Sequence, residues 1–407
     1  MRILLSVFYK GLSILAQFAT FWLLVRELDK SEFGLYSAIA SAALLIIHFI
    51  APGFSNLIVK YGSESKEKVA LRVFSLALVL TLIIALPAIL IVTIIVWPIS
   101  SVIGLSTLLL YIFSEVILMR IFDLATSFLH FKNTQFFFLS QFMFLVARMV
   151  LVLSIVLVGS VDINLIFILF FALNFLAVVI TSFALKLKVN FSKITFFEIA
   201  TFVKEGLPFA LNITSKNIGS NADRAILVQG GYDSALIADY SLSYRLAYIS
   251  FIPFHTVMMI LIPRLFRKGV GLTAFQLYKT TSKLFFISLI SSILISIILY
   301  LTSPYIVLIF GSKYLTAVVI VQAMSAYPVV LFLNMYFCEL MTCSGNNTAR
   351  AKIQISAAVI SVLACLMLIP EFGFIGGVLS FYLSEIVLLL SVILFVFNTR
   401  YQNVAET

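Results

Sequence analysis

Residues 73–96 read VFSLALVLTLIIALPAILIVTIIV, an apolar run without one charged side chain. At about 1.5 Å of rise per residue, a helix of this length crosses the ~30 Å hydrocarbon core of a bilayer. The run does not alternate polar and apolar residues as a membrane β-barrel strand would. Comparable runs recur along the 407 residues, which are 62% apolar and 11% charged. Soluble domains hold about 45–50% and 25%. The composition excludes a water-soluble fold and points to an all-α integral membrane protein.

The other global features fit that class. Cys338, Cys343 and Cys365 lie in or beside apolar segments with no CxxC pair and no histidine at ligand spacing, so neither a disulfide nor a metal site is expected. The start runs directly into a long apolar span and reads as a retained first helix rather than a cleaved signal. The formal net charge of +10 is explained by threading through a membrane, not by nucleic acid.

Twelve helices are expected, at about 6–25, 35–58, 73–96, 99–120, 135–158, 164–185, 206–230, 236–262, 284–302, 317–341, 351–369 and 374–397. With both termini cytoplasmic, 20 Lys and Arg fall on the inside and three, Arg26, Lys30 and Lys313, on the outside. That bias is what the positive-inside rule demands of a correct threading. The chain then divides into an N-terminal six-helix lobe (1–185), a cytoplasmic linker (186–205) and a C-terminal six-helix lobe (206–407). In the linker, Thr195 and Glu198 have capping-box spacing ahead of apolar Ile199, Phe202 and Val203, which predicts a short interfacial helix. Weak similarity between Gly34-Leu-Tyr36-Ser37 and Ala238-Asp-Tyr240-Ser241 suggests parallel repeats. No loop has room for a catalytic domain, so the chain is not expected to be an enzyme, and no cofactor is expected.

Four of the 27 basic residues remain unexplained by threading: Arg148, Lys216, Arg224 and Arg245. Facing lipid, each would cost roughly 2.5–3.5 kcal/mol. They must meet water or partners. Helix 206–230 is the least lipid-like, with Asn212, Lys216, Gly219 and Asp223 on one face and Asn217, Asn221 and Arg224 on an adjacent one. Helix 1 adds a face of Ser13, Gln17 and Thr20. Two readings stay open for the cations: pairing with Asp223 or the intramembrane acids Glu115, Glu339 and Glu385, or lining an electropositive cavity. The cavity is favoured for Lys216 and Arg148, which have no acid at i±3 or i±4. Several cations without metal ligands or an activated nucleophile suit holding a multiply charged anion such as a diphosphate. His48, near Pro52-Gly53, reads as a neighbour of a helix kink, and Glu385 as a structural acid or a coupling-ion site.

The sequence resembles the MOP exporter superfamily, and within it the Wzx-type flippases of O-antigen and capsule repeat units in the polysaccharide transport family. The residues that carry the resemblance are Arg26-Glu-Leu28 with Glu32-Phe33-Gly34-Leu-Tyr36, Asn221-Ala-Asp223-Arg224, Pro263, Phe310-Gly311-x-x-Tyr314 and Ile369-Pro370-Glu-Phe-Gly373-Phe-Ile-Gly376. It implies two six-helix lobes around a central cavity in the inner (cytoplasmic) membrane. The substrate would be an undecaprenyl-diphosphate-linked oligosaccharide, its tail left in membrane lipid and its head group received by Arg148, Lys216, Arg224, Arg245, Asn212 and Gln17. A polysaccharide polymerase and a chain-length regulator would be further partners in lipopolysaccharide or capsule biosynthesis. The alternative is a cation-coupled exporter of small molecules in the same superfamily, with Asp223 or Glu385 as the coupling acid. Multidrug exporters of the superfamily typically use a carboxylate in helix 1, and here none lies between Lys10 and Arg26. A membrane enzyme acting on the same lipid ranks third, because the outside loops are short.

Overall fold

A computed structural model of the chain describes residues 2–63, 67–159, 161–185, 195–269 and 272–402. The described residues are helical nearly throughout and contain no strand. The first eight helices are α1 (Arg2–Glu27), α2 (Lys30–Ile46), α3 (Phe54–Ser63), α4 (Glu67–Val96), α5 (Leu105–Phe113), α6 (Met119–Lys132), α7 (Thr134–Val158) and α8 (Ile163–Ala184). They are followed by α9 (Phe196–Gln229), α10 (Ser234–Gly269), α11 (Ala274–Thr302), α12 (Ile306–Phe310), α13 (Leu315–Ala323), α14 (Tyr327–Cys343), α15 (Asn347–Phe372) and α16 (Phe374–Gln402). Among the described residues nine helices are long and apolar enough to span a membrane, or ten if α13 and α14, bent by 46°, count as one span. Large apolar side chains point outward, as in the stripe Leu82, Leu86, Leu90 and Ile94 of α4. Only a lipid solvent makes such a surface stable, since the backbone is satisfied within each helix.

Several expected boundaries are corrected. The predicted helix 35–58 is two helices: α2 ends in a 3-10 turn at Ile47–Phe49, and the chain breaks before α3. Ala51 (φ 48°) and Gly53 (φ 72°) both adopt left-handed backbone there. Gly53 is doubly constrained, because a Cβ would also lie 2.0 Å from the Gly206 carbonyl oxygen. The predicted helix 99–120 opens as a 3-10 run at Trp97–Val102, passes through a π turn at Ser114–Leu118 and continues to Lys132. The interfacial helix and the helix at 206–230 are one continuous α9, and α10 runs through Pro263 to Gly269. Hydropathy marks where a segment meets lipid. It does not mark where the hydrogen-bond ladder stops. The linker at 186–194 lies outside the described residues.

The chain divides into two compact units, residues 1–214 with 233–235, and residues 215–232 with 236–407. The division falls inside α9. In unit 1, α1 packs along α7, and α3 packs against α4 and α6 around Phe54, Leu57, Phe74, Leu124 and Phe128. The start of α9 is clamped onto this core. Ile199, Phe202 and Val203 pack on it, Glu205 accepts bonds from Lys60 (2.7 Å) and Tyr61 (2.6 Å), and Glu198 receives both Nε and Nη2 of Arg72 (2.8 and 2.6 Å). Thr195 caps α9 through the Glu198 amide, as its spacing predicts, while the Glu198 side chain turns to Arg72. In unit 2, α15 packs along α16 and α11 along α14, around the rings of Phe285, Phe332, Tyr336 and Phe337.

Candidate functional site

Threading counts Arg120 among the cytoplasmic cations. The structure instead buries it, 3% exposed, at the α2–α3 break. Its Nε donates to the Ile50 carbonyl (2.8 Å), Nη2 to the Ala51 carbonyl (2.5 Å) and Nη1 to Ser55 Oγ (3.1 Å) and Asp123 Oδ2 (2.7 Å). The break leaves the Ile50 carbonyl without a backbone donor among the described residues and the Ala51 carbonyl with the Phe54 amide at 3.3 Å, and in lipid an unmet group costs several kcal/mol. One guanidinium serves both carbonyls, and Asp123 balances its charge.

Arg148 of α7 is also paired, although its Nε has no hydrogen-bond partner among the described residues. Its Nη2 pairs with Glu115 in the π turn and donates to Asn174 Oδ1 (3.1 Å). Asn174 Nδ2 returns to Ser114 Oγ (2.6 Å) and Glu115 Oε1 (3.2 Å). The guanidinium carbon stands 4.6 Å from the Phe170 ring centre and 5.1 Å from that of Phe144. Arg148 is therefore a neutralised hub between helices, and the expectation of an unpaired cavity cation is corrected. Partners from the Ser-Glu of α5–α6 and the lone Asn of α8 are non-local, so no i±4 test could find them.

The remaining predicted residues of unit 1 separate. On α1, Ser13 and Thr20 donate to the Tyr9 and Ala16 carbonyls of their own helix, and Gln17 is exposed. Asn212 falls outside the described side chains.

In unit 2, Asp223 and Arg224 form a second ion pair, in which Arg224 Nε makes no hydrogen bond among the described residues. Asp223 Oδ2 accepts from Tyr240 OH (2.7 Å), while Oδ1 accepts the Arg224 amide (2.8 Å) and lies 3.7 Å from Arg224 Nε. Arg224 donates to the Ser220 carbonyl and stacks 4.2 Å from the Tyr244 ring centre. These neighbours make Asp223-Arg224 a pair held between α9 and α10.

Lys216 differs. It is accessible and, among the described residues, has no hydrogen-bond or ion-pair partner. It lines a cavity of about 160 Å³ lying wholly in unit 2, whose walls come from α9, α10, α14, α15 and α16. Glu385 lines the same cavity, its Oε2 taking the Asn334 amide at 2.6 Å. Glu339 pairs there with Arg350 Nη1 at 3.1 Å. Arg350 is thus a cavity residue and not the loop cation that threading made it. Three buried polar atoms of the lining have no hydrogen-bond partner among the described residues: Asn334 Oδ1, Gln354 Oε1 and Arg350 Nε. Arg245, half-buried on α10, does not line the cavity. The structure thus brings Lys216 and Glu385 together and keeps Arg148 and Gln17 in unit 1. Asn334 and Gln354 were missed, although a lone Asn in the apolar run Leu331–Phe337 is a signal. The three cysteines are free and buried, and no group of three His, Cys, Asp or Glu among the described residues could hold a metal ion.

The fold is similar to that of an inward-facing multidrug resistance transporter of the MATE family, MOP superfamily, with a TM-score of 0.69 and 14% identity over 96% of this chain and 95% of that one. It is similar also to the lipid II flippase MurJ in an inward closed conformation, with a TM-score of 0.71 and 16% identity over 97% of this chain and 87% of that one. The MATE multidrug transporter DinF-BH gives a TM-score of 0.64 and 13% identity over 98% of this chain and 94% of that one. No protein-family model and no curated protein sequence matches this chain. At such identities the likeness fixes the architecture: this is a multi-pass membrane protein with the fold of the MOP-superfamily transporters.

Proposed function

We propose that the protein is a flippase that moves an undecaprenyl-diphosphate-linked oligosaccharide across the cytoplasmic membrane by alternating access, for O-antigen or capsule biosynthesis. The observation that carries this reading is the state of Lys216: accessible, on the polar stretch of α9, lining the cavity of unit 2 with Glu385, and without a hydrogen bond or ion pair of its own among the described residues. A diphosphate takes its charge from a group that is not already neutralised. In this reading Lys216 receives the diphosphate, and Arg148 and Arg224 act as paired structural charges. The polyprenyl tail stays in lipid, and a polymerase and chain-length regulator use the product.

The test is genetic and chemical. In the native host, Lys216→Ala should abolish surface polysaccharide and accumulate the lipid-linked unit on the cytoplasmic side, while Lys216→Arg keeps part of the activity. Normal surface polymer in a well-expressed Lys216→Ala strain refutes the role. One observation favours the rival reading, a cation-coupled exporter: Glu385 presents a carboxylate to the same cavity. That reading requires Glu385→Gln to confer drug sensitivity with surface glycan intact.

A further inference from the structure

The first three turns of α9 have an inner and an outer side, and among the described residues only the inner side is taken up by protein. Inward, Ile199, Phe202 and Val203 pack on the core of unit 1, while Glu198 is held by Arg72 and Glu205 by Lys60 and Tyr61. Outward stand Phe196, Phe197, Ala200, Lys204 and Leu207, which at about 3.6 residues per turn fall within about 100° of the helix circumference. All five are exposed. Phe196 is 85% exposed and Phe197 80%, and Leu207, at 43%, carries the same face into the expected span 206–230. Lys204 is the single charge on this side, without a hydrogen-bond or ion-pair partner among the described residues.

The depth of this face follows from what grips the inner side. Arg72 immediately precedes the uncharged run 73–96, and Lys60 stands in the last turn of α3, just past the expected span 35–58. Both cations mark span ends, so the turns they hold through Glu198 and Glu205 lie where hydrocarbon gives way to head groups. The length of α9 agrees: 34 residues make about 51 Å of helix against an apolar core of ~30 Å, and the surplus falls outside that core. Two adjacent phenylalanines left in water would form an apolar patch with nothing to cover it. At the membrane boundary lipid covers them, the rings entering the upper acyl chains and the lysine reaching a phosphate on its apolar stem. We infer that this face is a membrane-interface anchor docked on phospholipid, with Phe196 and Phe197 inserted among the chains and Lys204 on a head-group phosphate. Glu198 and Glu205 are turned inward and neutralised, so no acid on the outer side repels an anionic lipid. The inference goes beyond the proposed function and holds whichever substrate is carried.

The chain has two tryptophans, Trp22 and Trp97, so a single reporter is easily made. Full-length Phe197→Trp, in a Trp22→Phe and Trp97→Phe background and in lipid nanodiscs, is read by fluorescence against acrylamide and against lipids brominated near the head group or near the chain ends. The expected result is quenching about twofold stronger with the shallow bromine than with the deep one, and weak quenching by acrylamide. Brominated phosphatidylglycerol at a low fraction should quench about two- to fivefold more than brominated phosphatidylcholine at the same fraction. Lys204→Gln should erase that preference, and Lys279→Gln, on α11, should leave it unchanged. If the tryptophan-free background does not fold, Phe197→Cys carrying a nitroxide reads the same depth from collisions with oxygen and with a water-soluble nickel chelate, the native cysteines being buried. The inference is overturned if the reporter is open to the aqueous quencher and untouched by brominated lipid, or if the preference for the anionic lipid survives Lys204→Gln. It is overturned equally by a reporter shielded from both sides, which is what a protein partner or a second copy on this face would produce.

Discussion

Arg148 in unit 1 and Lys216 in unit 2 look alike in the sequence, each a cation within an expected span and without an acid at i±3 or i±4. Their surroundings are opposite. Arg148 has Glu115, Asn174 and two aromatic rings, and Arg120 in the same unit has four acceptors from α3, α6 and the break before α3. Lys216 has a cavity and no described partner. A buried charge that must only hold helices together is paired within the protein itself. One that must hold and release something else is left unfinished, at a cost in stability. The contrast assigns work by pairing rather than by charge.

The largest effects should come from breaking the finished sets. Arg120→Met should destabilise by about 3–5 kcal/mol, because it takes the counter-charge from Asp123, which keeps Ser55 Oγ, and leaves the buried Ile50 carbonyl without a donor. Glu115→Ala should cost a comparable amount by leaving Arg148 buried and uncompensated, and the double change Glu115→Leu with Arg148→Met should recover most of it. Unfolding of purified protein in nanodiscs measures both. A Glu115→Ala protein as stable as the parent would mean that Arg148 finds water, and the contrast would fail. Next in size, Asn174→Leu should cost about 1–3 kcal/mol, since Ser114 and Arg148 lose a shared partner. Lys216→Met should then change stability by less than about 1 kcal/mol in either direction, there being no hydrogen bond or ion pair to break, while transport is lost. A loss of stability in Lys216→Met equal to that in Glu115→Ala would erase the distinction.

Much of this architecture is legible in the residues. The apolar runs give the class, and the polarity of Asn212 to Arg224 singles out α9 as the helix that bears the open cation. What is not legible is long-range. Pairing of Glu115 with Arg148 joins positions 33 apart, and Arg120 meets carbonyls 70 and 69 residues away. Neither contact leaves a periodic trace. Counting Lys and Arg by loop also misplaces two residues for a physical reason: Arg120 and Arg350 lie near expected span ends, where a cation on the water side and one folded back into the protein read the same. The break at Ala51 to Gly53 is foreshadowed by Pro52-Gly53, yet its consequence, carbonyls turned toward Arg120, appears only with the backbone in place.

The smallest effect sharpens the comparison from outside the spans. Glu198 and Arg72 also pair fully, but at an accessible position, so saturation there should be worth little. The hydrogen bond from Arg72 holds the Glu198 carboxyl below its usual range. A carboxyl lowered in the folded state stabilises above its unfolded pKa of about 4.3, and that contribution fades as pH falls through the lowered folded value. The folded form prefers the charged carboxylate, and acid removes that preference. Glu198→Gln should therefore be less stable than the parent at about pH 6 by no more than about 1 kcal/mol, with the gap closing on acidification below about pH 4. Unfolding midpoints of both proteins across that range check it. A gap that widens in acid would reverse the sign and unseat the pair. A gap at pH 6 as large as that from Glu115→Ala would mean that the clamp at the start of α9 is part of what holds the Lys216 helix in place, and that accessibility does not rank these charges as the contrast between Arg148 and Lys216 requires.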